Sequence, residues 1–493
     1  MAAVTLPSRP RFAALQGWAQ ESLWATPWQL LGNLLLLALA VAVFRGQWVA
    51  APLVTGVLGG LWLAGVVWVA QAALRHRYDD VSQWLKDRLF GSPSSALITL
   101  IIVLWLAAAA RGLLNWAIFD ASFAAEPAAI REHTGATWGI IFANIKLFLV
   151  GQYPRDEVTR IWISVGLVVV LLAAALYTFS PWGARNRAAR RVVTGLWLVS
   201  PIVIWALLRG LGRGDPLPVV ETRFWGGLLL TLVITVFAIV VSFPLGVLLA
   251  LGRRSQLPGI PAVLTYGVVG VVVVWGVRAF TLPGWASATT TLEYALLLWP
   301  VWLAVAAVAF QRAFRGNAVA AASTIFIEFV RGVPLITVLF MAQVMFGLFL
   351  PRDISIDNAY RVMWGVALFS AAYLAENVRG GLQAMSKGQF EASDALGLST
   401  FQQYRLVILP QALAIVIPPI TGQFINLFKD TSLVAIVGLF DILGIANAVI
   451  AQPDWLGLRR ETYFFVAAVY YVGCLAMAQV GYWLERRTGL GTR

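Results

Sequence analysis

The chain has 493 residues, of which 60% are hydrophobic and only 12% are charged, and its formal net charge is +13. An average soluble domain carries about a quarter charged residues, so this apolar excess excludes a single water-soluble core. The basic residues lie in short segments beside apolar runs, which excludes a nucleic-acid partner and indicates the cytoplasmic side of a membrane protein.

Apolar runs long enough to cross a bilayer recur along the chain. A spanning helix needs roughly 20 apolar residues, and the run from Gly226 to Leu251 is the plainest example. We predict an all-α integral membrane protein with about twelve transmembrane helices. Lys and Arg are more frequent in alternate loops, which places both termini in the cytoplasm. The predicted spans are residues 29–44, 52–74, 96–118, 161–179, 192–209, 224–251, 263–279, 291–310, 333–350, 360–378, 411–428 and 461–485.

The segments outside these spans are mostly short. Arg9 and Arg11 precede the first span without a cleavage site after it, so we expect an uncleaved cytoplasmic tail. The external segment 119–160 contains an apolar piece, Ile140 to Val150, that is too short to span and is expected to pack on the outer membrane face. The segment 379–410 is cytoplasmic and is predicted to form a pair of helices.

Motifs for catalysis and metal binding are missing from the chain. It contains no phosphate-binding loop, nucleophile elbow, zinc-protease helix or dinucleotide fingerprint. Cys474 is the only cysteine, and the two histidines, His76 and His133, lie outside the spans. We therefore predict no catalytic residue, no metal site and no cofactor on this chain. If it drives uphill transport, the energy enters through a partner.

One cytoplasmic stretch carries the most specific motif in the chain. Its alanines keep a helix slim, its acidic residues present charge to a partner, and Gly397 permits a tight turn. Leu409 and Pro410 follow at the start of the next span. An ordinary cytoplasmic hairpin is the alternative interpretation of the same residues. The stretch reads Glu391-Ala392-Ser393-Asp394-Ala395-Leu396-Gly397.

This stretch resembles the EAA loop of ABC importer permeases of type I. The resemblance implies a coupling loop, residues 379–410, whose short helix docks in a groove of an ATPase subunit. It implies this role for Glu391, Ala392, Ser393 and Gly397, with Leu409 and Pro410 starting the next span. Ser393 departs from the strictest pattern, which has alanine there, although both residues are small.

Further matches extend the likeness over most of residues 220–493 and point to the polar amino acid branch of the family. The region before them is more loosely similar to the N-terminal half of general L-amino acid permeases. The sequence thus divides into an N-terminal transmembrane region, 1–220, and a permease domain, 221–493. About 60 residues with two apolar runs interrupt the family pattern, and we interpret residues 260–311 as an inserted helical hairpin. The matching stretches are residues 326–335, 375–381, 388–390, 409–412 and 429–433.

The resemblance implies the permease subunit of an ATP-driven importer in the bacterial inner membrane, which translocates polar amino acids. Its implied partners are ATPase subunits that bind ATP-Mg, a second permease in a heterodimer, an external solute-binding protein and membrane lipid. An ion-coupled secondary amino acid carrier is one alternative, and it would require paired carboxylates or unwound helices at mid-membrane in two related halves. A membrane scaffold without transport is another, but it gives no reason for the coupling loop.

Charged and amide side chains near one broken span are the candidates for a substrate path. Pro418 breaks the helix that runs toward Lys429 and Asp430, and broken helices expose backbone groups that can line a polar path. Lys429 can meet a carboxylate and Asp430 an ammonium, with Gln423 and Asn426 along the approach. Alternatively, Lys429 and Asp430 only close a salt bridge or cap a helix.

Two further polar residues fall inside predicted spans. Gln343 lies in an apolar run and is a candidate for substrate contact, although one buried amide often only links helices. Arg111 lies in the third predicted span, where a charge is costly and suggests a function.

Overall fold

The computed structural model describes residues 27–75, 77–124, 134–180, 186–212, 217–255, 257–345 and 356–487. These residues are predominantly helical and contain no β-strand beyond two isolated bridges. The predicted all-α class is confirmed. The predicted cytoplasmic tail, with Arg9 and Arg11, lies outside the described residues.

We number the α-helices of these described ranges in chain order. They are α1 (Pro27–Ala50), α2 (Pro52–Leu74), α3 (Asp80–Arg88), α4 (Pro93–Leu114), α5 (Gly139–Ala143), α6 (Ile145–Val150), α7 (Val158–Thr178), α8 (Arg187–Arg209), α9 (Gly227–Arg253), α10 (Ala262–Gly276), α11 (Leu282–Trp285), α12 (Thr291–Leu297), α13 (Trp299–Phe314), α14 (Ala318–Gly332), α15 (Leu335–Phe340), α16 (Asn358–Ala384), α17 (Lys387–Ala395), α18 (Thr400–Gln403), α19 (Leu409–Ile415), α20 (Ile417–Asp430), α21 (Ile442–Ile450) and α22 (Arg459–Arg487).

Within the described ranges, 8 helices are long and apolar enough to cross a membrane, or up to 11 spans if each of three bent helix pairs is one span. The predicted span 360–378 falls inside α16, which has 27 residues but is not among them. Polar residues such as Arg361, Glu376 and Asn377 lower the hydropathy of α16 below that of its neighbours. The predicted count of about twelve is therefore approximate. The bent pairs are α12 with α13 (54°), α14 with the segment Leu335–Met345 (109°), and Thr400–Ile415 with Ile417–Val437 (61°).

The chain separates into two compact units, Met1–Gly139 and Ile140–Arg493. In the first unit α1 packs on α4, where Ala40 and Leu104 are buried. Arg111 donates from Nη1 to the carbonyl oxygen of Ala50, 2.8 Å away, at the end of α1. A carbonyl at a helix C-terminus has no partner within its own helix, so Arg111 has a structural role as a cap.

The second unit is built around α9 and α16, which pack along their lengths. A Cβ atom added to Gly246 of α9 would lie 2.7 Å from the Cβ atom of Leu374 on α16, so glycine permits this close approach. Ile234 of α9 and Ala367 of α16 are fully buried in the same apolar cluster. These two helices form the frame against which the predicted coupling loop and the broken span pack.

The short apolar piece at residues 140–150 packs against other helices of the protein. It forms α5 and α6, and α6 packs against α9 and α21. Phe148 is fully buried, and its ring lies edge-on to Phe465 of α22 with the centroids 5.2 Å apart. Several of its apolar side chains therefore fill the protein core, and its position at the outer membrane face stays a prediction.

Residues 260–311, which we interpreted as an insertion, form a helical hairpin. Helix α10 packs against α13, and a Cβ atom on Gly276 would lie 2.6 Å from the ring of Trp299. The amide of Ile260 donates to the carbonyl of Gly316 at 2.9 Å, which closes the base of the hairpin. The predicted division of the chain at residue 220 stays a prediction.

Candidate functional site

The predicted coupling loop consists of α17, a turn at Gly397 and α18. Gly397 has φ +70°, in the left-handed region. The amide of Leu398 donates to the carbonyl of Ser393 at 3.2 Å, and the amide of Gly397 donates to the carbonyl of Asp394 at 2.9 Å. These two bonds form a Schellman motif, which satisfies carbonyl groups at the C-terminal end of a helix and favours glycine. Ser399 then caps α18 through a capping box with Gln402, as the predicted helix pair requires.

A buried amide side chain fastens α17 to α18. Gln403 is 6% exposed, and its Nε2 atom donates to the carbonyl of Phe390 at 3.1 Å, to Oγ of Ser393 at 3.3 Å and to Oδ1 of Asp394 at 2.8 Å. Ser393 is also buried, and its hydroxyl donates to the carbonyls of Gln389 and Phe390. Serine in the position where the family pattern has alanine therefore adds hydrogen bonds inside the loop.

The outer surface of the loop is open. Glu391 and Ala392 are exposed on α17. Leu396 and Phe401, on either side of the turn, are 78% and 70% exposed. Exposed apolar side chains beside a charged residue, away from the spans, are typical of a docking surface for another protein. Of the predicted coupling residues, Glu391, Ala392 and Gly397 are exposed on the loop, and Ser393 supports the loop from inside.

The other side of the loop is tied to the frame of the unit. A π-helical turn, Tyr404–Ile408, leads into α19, which begins at Leu409 and Pro410. Ile408 and Ala412 are fully buried in a cluster with Ala250 of α9 and Ala375 of α16, and Phe390 of α17 packs against that cluster. Close-packed side chains therefore connect α17 to α9 and α16.

The candidate path residues lie mainly on α20. The helix break expected near Pro418 is present, because α19 and α20 meet at a bend of 61°. Gln423, Asn426 and Asp430 are spaced i, i+3 and i+7, so they share one face of α20. The side of α20 that carries Phe428 packs on α22 instead, since the ring of Phe428 lies 5.2 Å from that of Tyr470.

The side-chain amides on this polar face have no hydrogen-bond partner within the described part of the chain. Among the described residues, neither Gln423 nor Asn426 forms a hydrogen bond, and Asn426 is exposed. Asp430 is half-buried at the end of α20 and Lys429 is exposed. The side chains of Lys429 and Asp430 point about 100° apart around the helix. No ion pair of 4.0 Å or less joins these two residues within the described ranges. The structure thus brings Gln423, Asn426 and Asp430 together and leaves Lys429 on a neighbouring face.

Gln343 is committed to a structural contact. It lies in the π-helical turn Met341–Met345, and its Nε2 atom donates to the carbonyl of Val437 at 2.8 Å. Asn358 donates to the same carbonyl at 3.1 Å, and Arg361 donates to the carbonyl of Gln343. Gln343 therefore links α16 and the turn after α15 to the segment that follows α20.

Sequence reasoning missed a buried polar cluster behind α20. Asp441 is fully buried and caps α21 by accepting from the amide of Gly444 at 2.8 Å. The hydroxyl of Tyr470 donates to its other oxygen at 3.1 Å and lies 3.4 Å from that of Thr431. An aspartate just before an apolar helical run is a cap signal that could have identified Asp441, whereas its contact with Tyr470 had no local signal.

Comparison with known proteins gives close relatives over nearly the whole chain. Residues 284–490 match the family described as binding-protein-dependent transport system inner membrane component. The inner membrane amino-acid ABC transporter permease protein YhdY of Escherichia coli is 36% identical over 416 residues, which cover 84% of this chain and 95% of that protein. The glutamate/glutamine/aspartate/asparagine transport system permease protein BztC of Rhodobacter capsulatus is 34% identical over 463 residues, covering 82% and 93%.

A solved amino acid ABC transporter with histidines aligns with 53% of this chain and 92% of its own, at 22% identity and a TM-score of 0.37.

Proposed function

Because this chain belongs to the family of amino-acid ABC transporter permeases of the inner membrane, we propose that it imports polar L-amino acids as the membrane-spanning subunit of an ATP-driven complex. YhdY and BztC are each matched over more than nine-tenths of their length. The chain is accordingly a multi-pass protein of the cytoplasmic membrane, and nothing in the comparisons supports an ion-coupled carrier.

The loop around Glu391 is the observation that carries the mechanism. Its outer surface is exposed while its inner surface packs on α9 and α16. This arrangement is expected of a loop that binds a partner protein and couples the partner's conformational change to the spans. We propose that partner ATPase subunits bind ATP-Mg and dock on this surface. In this mechanism the chain itself hydrolyses nothing and holds no cofactor.

A second permease and an external binding protein complete the proposed complex. The polar face of α20 is open in the single chain, which supports a path that is finished by another subunit. We propose a heterodimer, in which the binding protein delivers the amino acid to the outer end of that path. The name of BztC gives glutamate, glutamine, aspartate and asparagine for that protein, so the same polar amino acids are the proposed substrates of this chain.

The polar face of α20 would guide the substrate by charge and by amide hydrogen bonds. Asp430 can pair with an ammonium group, and Gln423 and Asn426 can each donate to and accept from the substrate. Lys429, on a neighbouring face, can meet the carboxylate during passage. Gln343 would keep the turn after α15 in place beside this route and would not bind the substrate.

The test is ATP-dependent uptake by the reconstituted complex. The chain is co-expressed with its ATPase, second permease and binding protein, and liposomes containing the complex are screened with radiolabelled L-amino acids. We expect uptake that requires both ATP and binding protein, and its loss in Glu391→Lys, which reverses the charge on the exposed docking surface. Uptake driven by an ion gradient without ATP would contradict the proposal.

A further inference from the structure

Five charged side chains from three helices meet at one level of the second unit. Arg253 is the last residue of α9, Glu328 and Arg331 lie near the end of α14, and Glu376 and Arg379 lie near the end of α16. Sequence reasoning gave these residues no role. We call them the charge cluster.

Glu376 is the centre of the charge cluster. Its Oε1 atom accepts from Nε of Arg379 at 2.8 Å, and its Oε2 atom lies 3.6 Å from Nη1 of Arg253 and 3.5 Å from Nη1 of Arg331. This one carboxylate therefore contacts guanidinium groups of α9, α14 and α16. Glu328 forms a shorter ion pair, 2.8 Å from Arg253, but Arg253 is its one ion-pair partner among the described residues. The side chain of Glu328 is 56% exposed, whereas that of Glu376 is 21% exposed.

The contacts of Oε2 leave room for movement. This oxygen is buried and accepts no hydrogen bond among the described residues. Charge-assisted hydrogen bonds are about 2.7–2.9 Å long, so both arginines stand somewhat beyond that length. Small shifts of α9 or α14 can tighten one of these contacts at the expense of the other, while the carboxylate stays paired.

The charge cluster lies next to residues that pack with the coupling loop and next to the bend between α14 and α15. Directly around it, Ile327 of α14, Val378 of α16 and Ile408 are buried in the apolar cluster against which Phe390 of the coupling helix packs. Arg254 also donates to the carbonyl of Leu382 at 3.4 Å, and Leu382 lies buried in the last turn of α16 before α17. On the other side, α14 ends one residue before Val333-Pro334, where the chain bends by 109° into α15.

We propose that Glu376 is a positioning residue for transport, which holds the ends of α9, α14 and α16 together so that movement of the coupling loop reaches the α14–α15 bend. This inference rests on the proposed function, because it assigns the route by which ATPase docking acts on the path. Without the carboxylate, Arg331 and Arg379 lose their ion-pair partner while Arg253 keeps Glu328, and the guanidinium groups of the three helices repel one another. The helix ends then separate, and movement of α17 is no longer passed on.

The test measures the number of ATP molecules hydrolysed per amino acid imported by the reconstituted complex, with radiolabelled L-glutamate and L-glutamine as probes. In Glu376→Gln we expect this ratio to rise at least about fivefold, the lower end of the range for energetic coupling between sites. A purely structural defect reduces the number of active complexes and leaves the ratio unchanged. Glu376→Asp, which keeps the charge, should restore the ratio toward the wild-type value.

Glu328→Gln is the matched control, because it removes the same charge from the same cluster at an exposed position with a single partner. We expect its ratio to stay close to the wild-type value. If Glu376→Gln does not assemble, Arg331→Gln tests the same link from α14, and it should also raise the ratio.

Three outcomes would overturn the inference: a wild-type ratio in Glu376→Gln, equal ratios in Glu376→Gln and Glu328→Gln, or a wild-type ratio in Arg331→Gln when the Glu376 variant is lost. A wild-type complex without ATP-dependent uptake would instead refute the proposed function.

Discussion

Gly397 shows how one residue sets the geometry of the coupling loop. Its φ of +70° is strained for any residue with a Cβ atom, although the space around a Cβ there is empty within 4 Å. Gly397→Val should therefore act through backbone strain, at a cost of about 1–2 kcal/mol, and not through a clash. We expect the chain to reach the membrane normally, while uptake is abolished and the ATPase no longer responds to loaded binding protein.

The control for this experiment is Gly380→Val. Gly380 also has no atom within 4 Å of an added Cβ, but it lies inside α16 with an ordinary helical backbone. Valine there adds the same atoms without the strain, so uptake should be retained. If both variants transport normally, the turn at Gly397 is not required for coupling.

Asp430 is the charged residue on the polar face of α20. Asp430→Asn removes its charge with little change in volume, and we expect uptake of glutamine and glutamate to fall by about tenfold or more, since hydrogen bonds to charged groups contribute roughly 1.5–3 kcal/mol. The measurement is the initial rate of uptake at low substrate concentration. Asp454→Asn, at an exposed acid after α21, is the control and should transport normally. Unchanged uptake of every substrate by Asp430→Asn would leave Asp430 with a structural role.

At the scale of elements, the coupling loop depends on the contact between α17 and α18. Gln403→Met keeps the side-chain volume but removes three hydrogen bonds to α17. At a net value of about 1 kcal/mol for each hydrogen bond, or about 3 kcal/mol for the three, we expect hydrogen exchange of the α17 amides to accelerate by roughly a hundredfold, with the spans unaffected. The measurement is hydrogen exchange of the purified chain followed by mass spectrometry.

The control at this scale is Gln411→Met. Gln411 is exposed, and it bonds to the side chain of Gln389 at 3.1 Å and to the carbonyl of Val407 at 3.1 Å. Exposed hydrogen bonds compete with water, so exchange in α17 should change less than in Gln403→Met. Equal exchange rates in the two variants would show that Gln403 does not hold the loop.

For the whole molecule, the orientation in the membrane stays a prediction that cysteine labelling can test. Single cysteines replace Gln152 and Lys387 in a Cys474→Ala background, because both positions are exposed. Ser122 lies in the same predicted external segment but is only 9% exposed, so it is a poor labelling site. We expect a membrane-impermeant reagent to label Gln152→Cys from outside and Lys387→Cys only after the membrane is opened. Labelling of Lys387→Cys in intact cells would show that the predicted orientation is reversed.

The sequence by itself determined the membrane class, most of the helices and the helix pair with its turn at Gly397, because these depend on neighbouring residues. Runs of apolar side chains fix where helices cross a bilayer, and the Gly397 turn is closed by bonds between residues at most five positions apart. Only the tertiary structure decided the long-range contacts. In it, Gln343 donates to the carbonyl of Val437, Phe148 is buried in the core, and the ends of three helices meet around Glu376. The physical reason is that local spacing predicts only a near partner of a charge, as with Glu376 and Arg379 three residues apart. Its distant partners, here Arg253 and Arg331, are set by which side chains helix packing brings within about 4 Å of it.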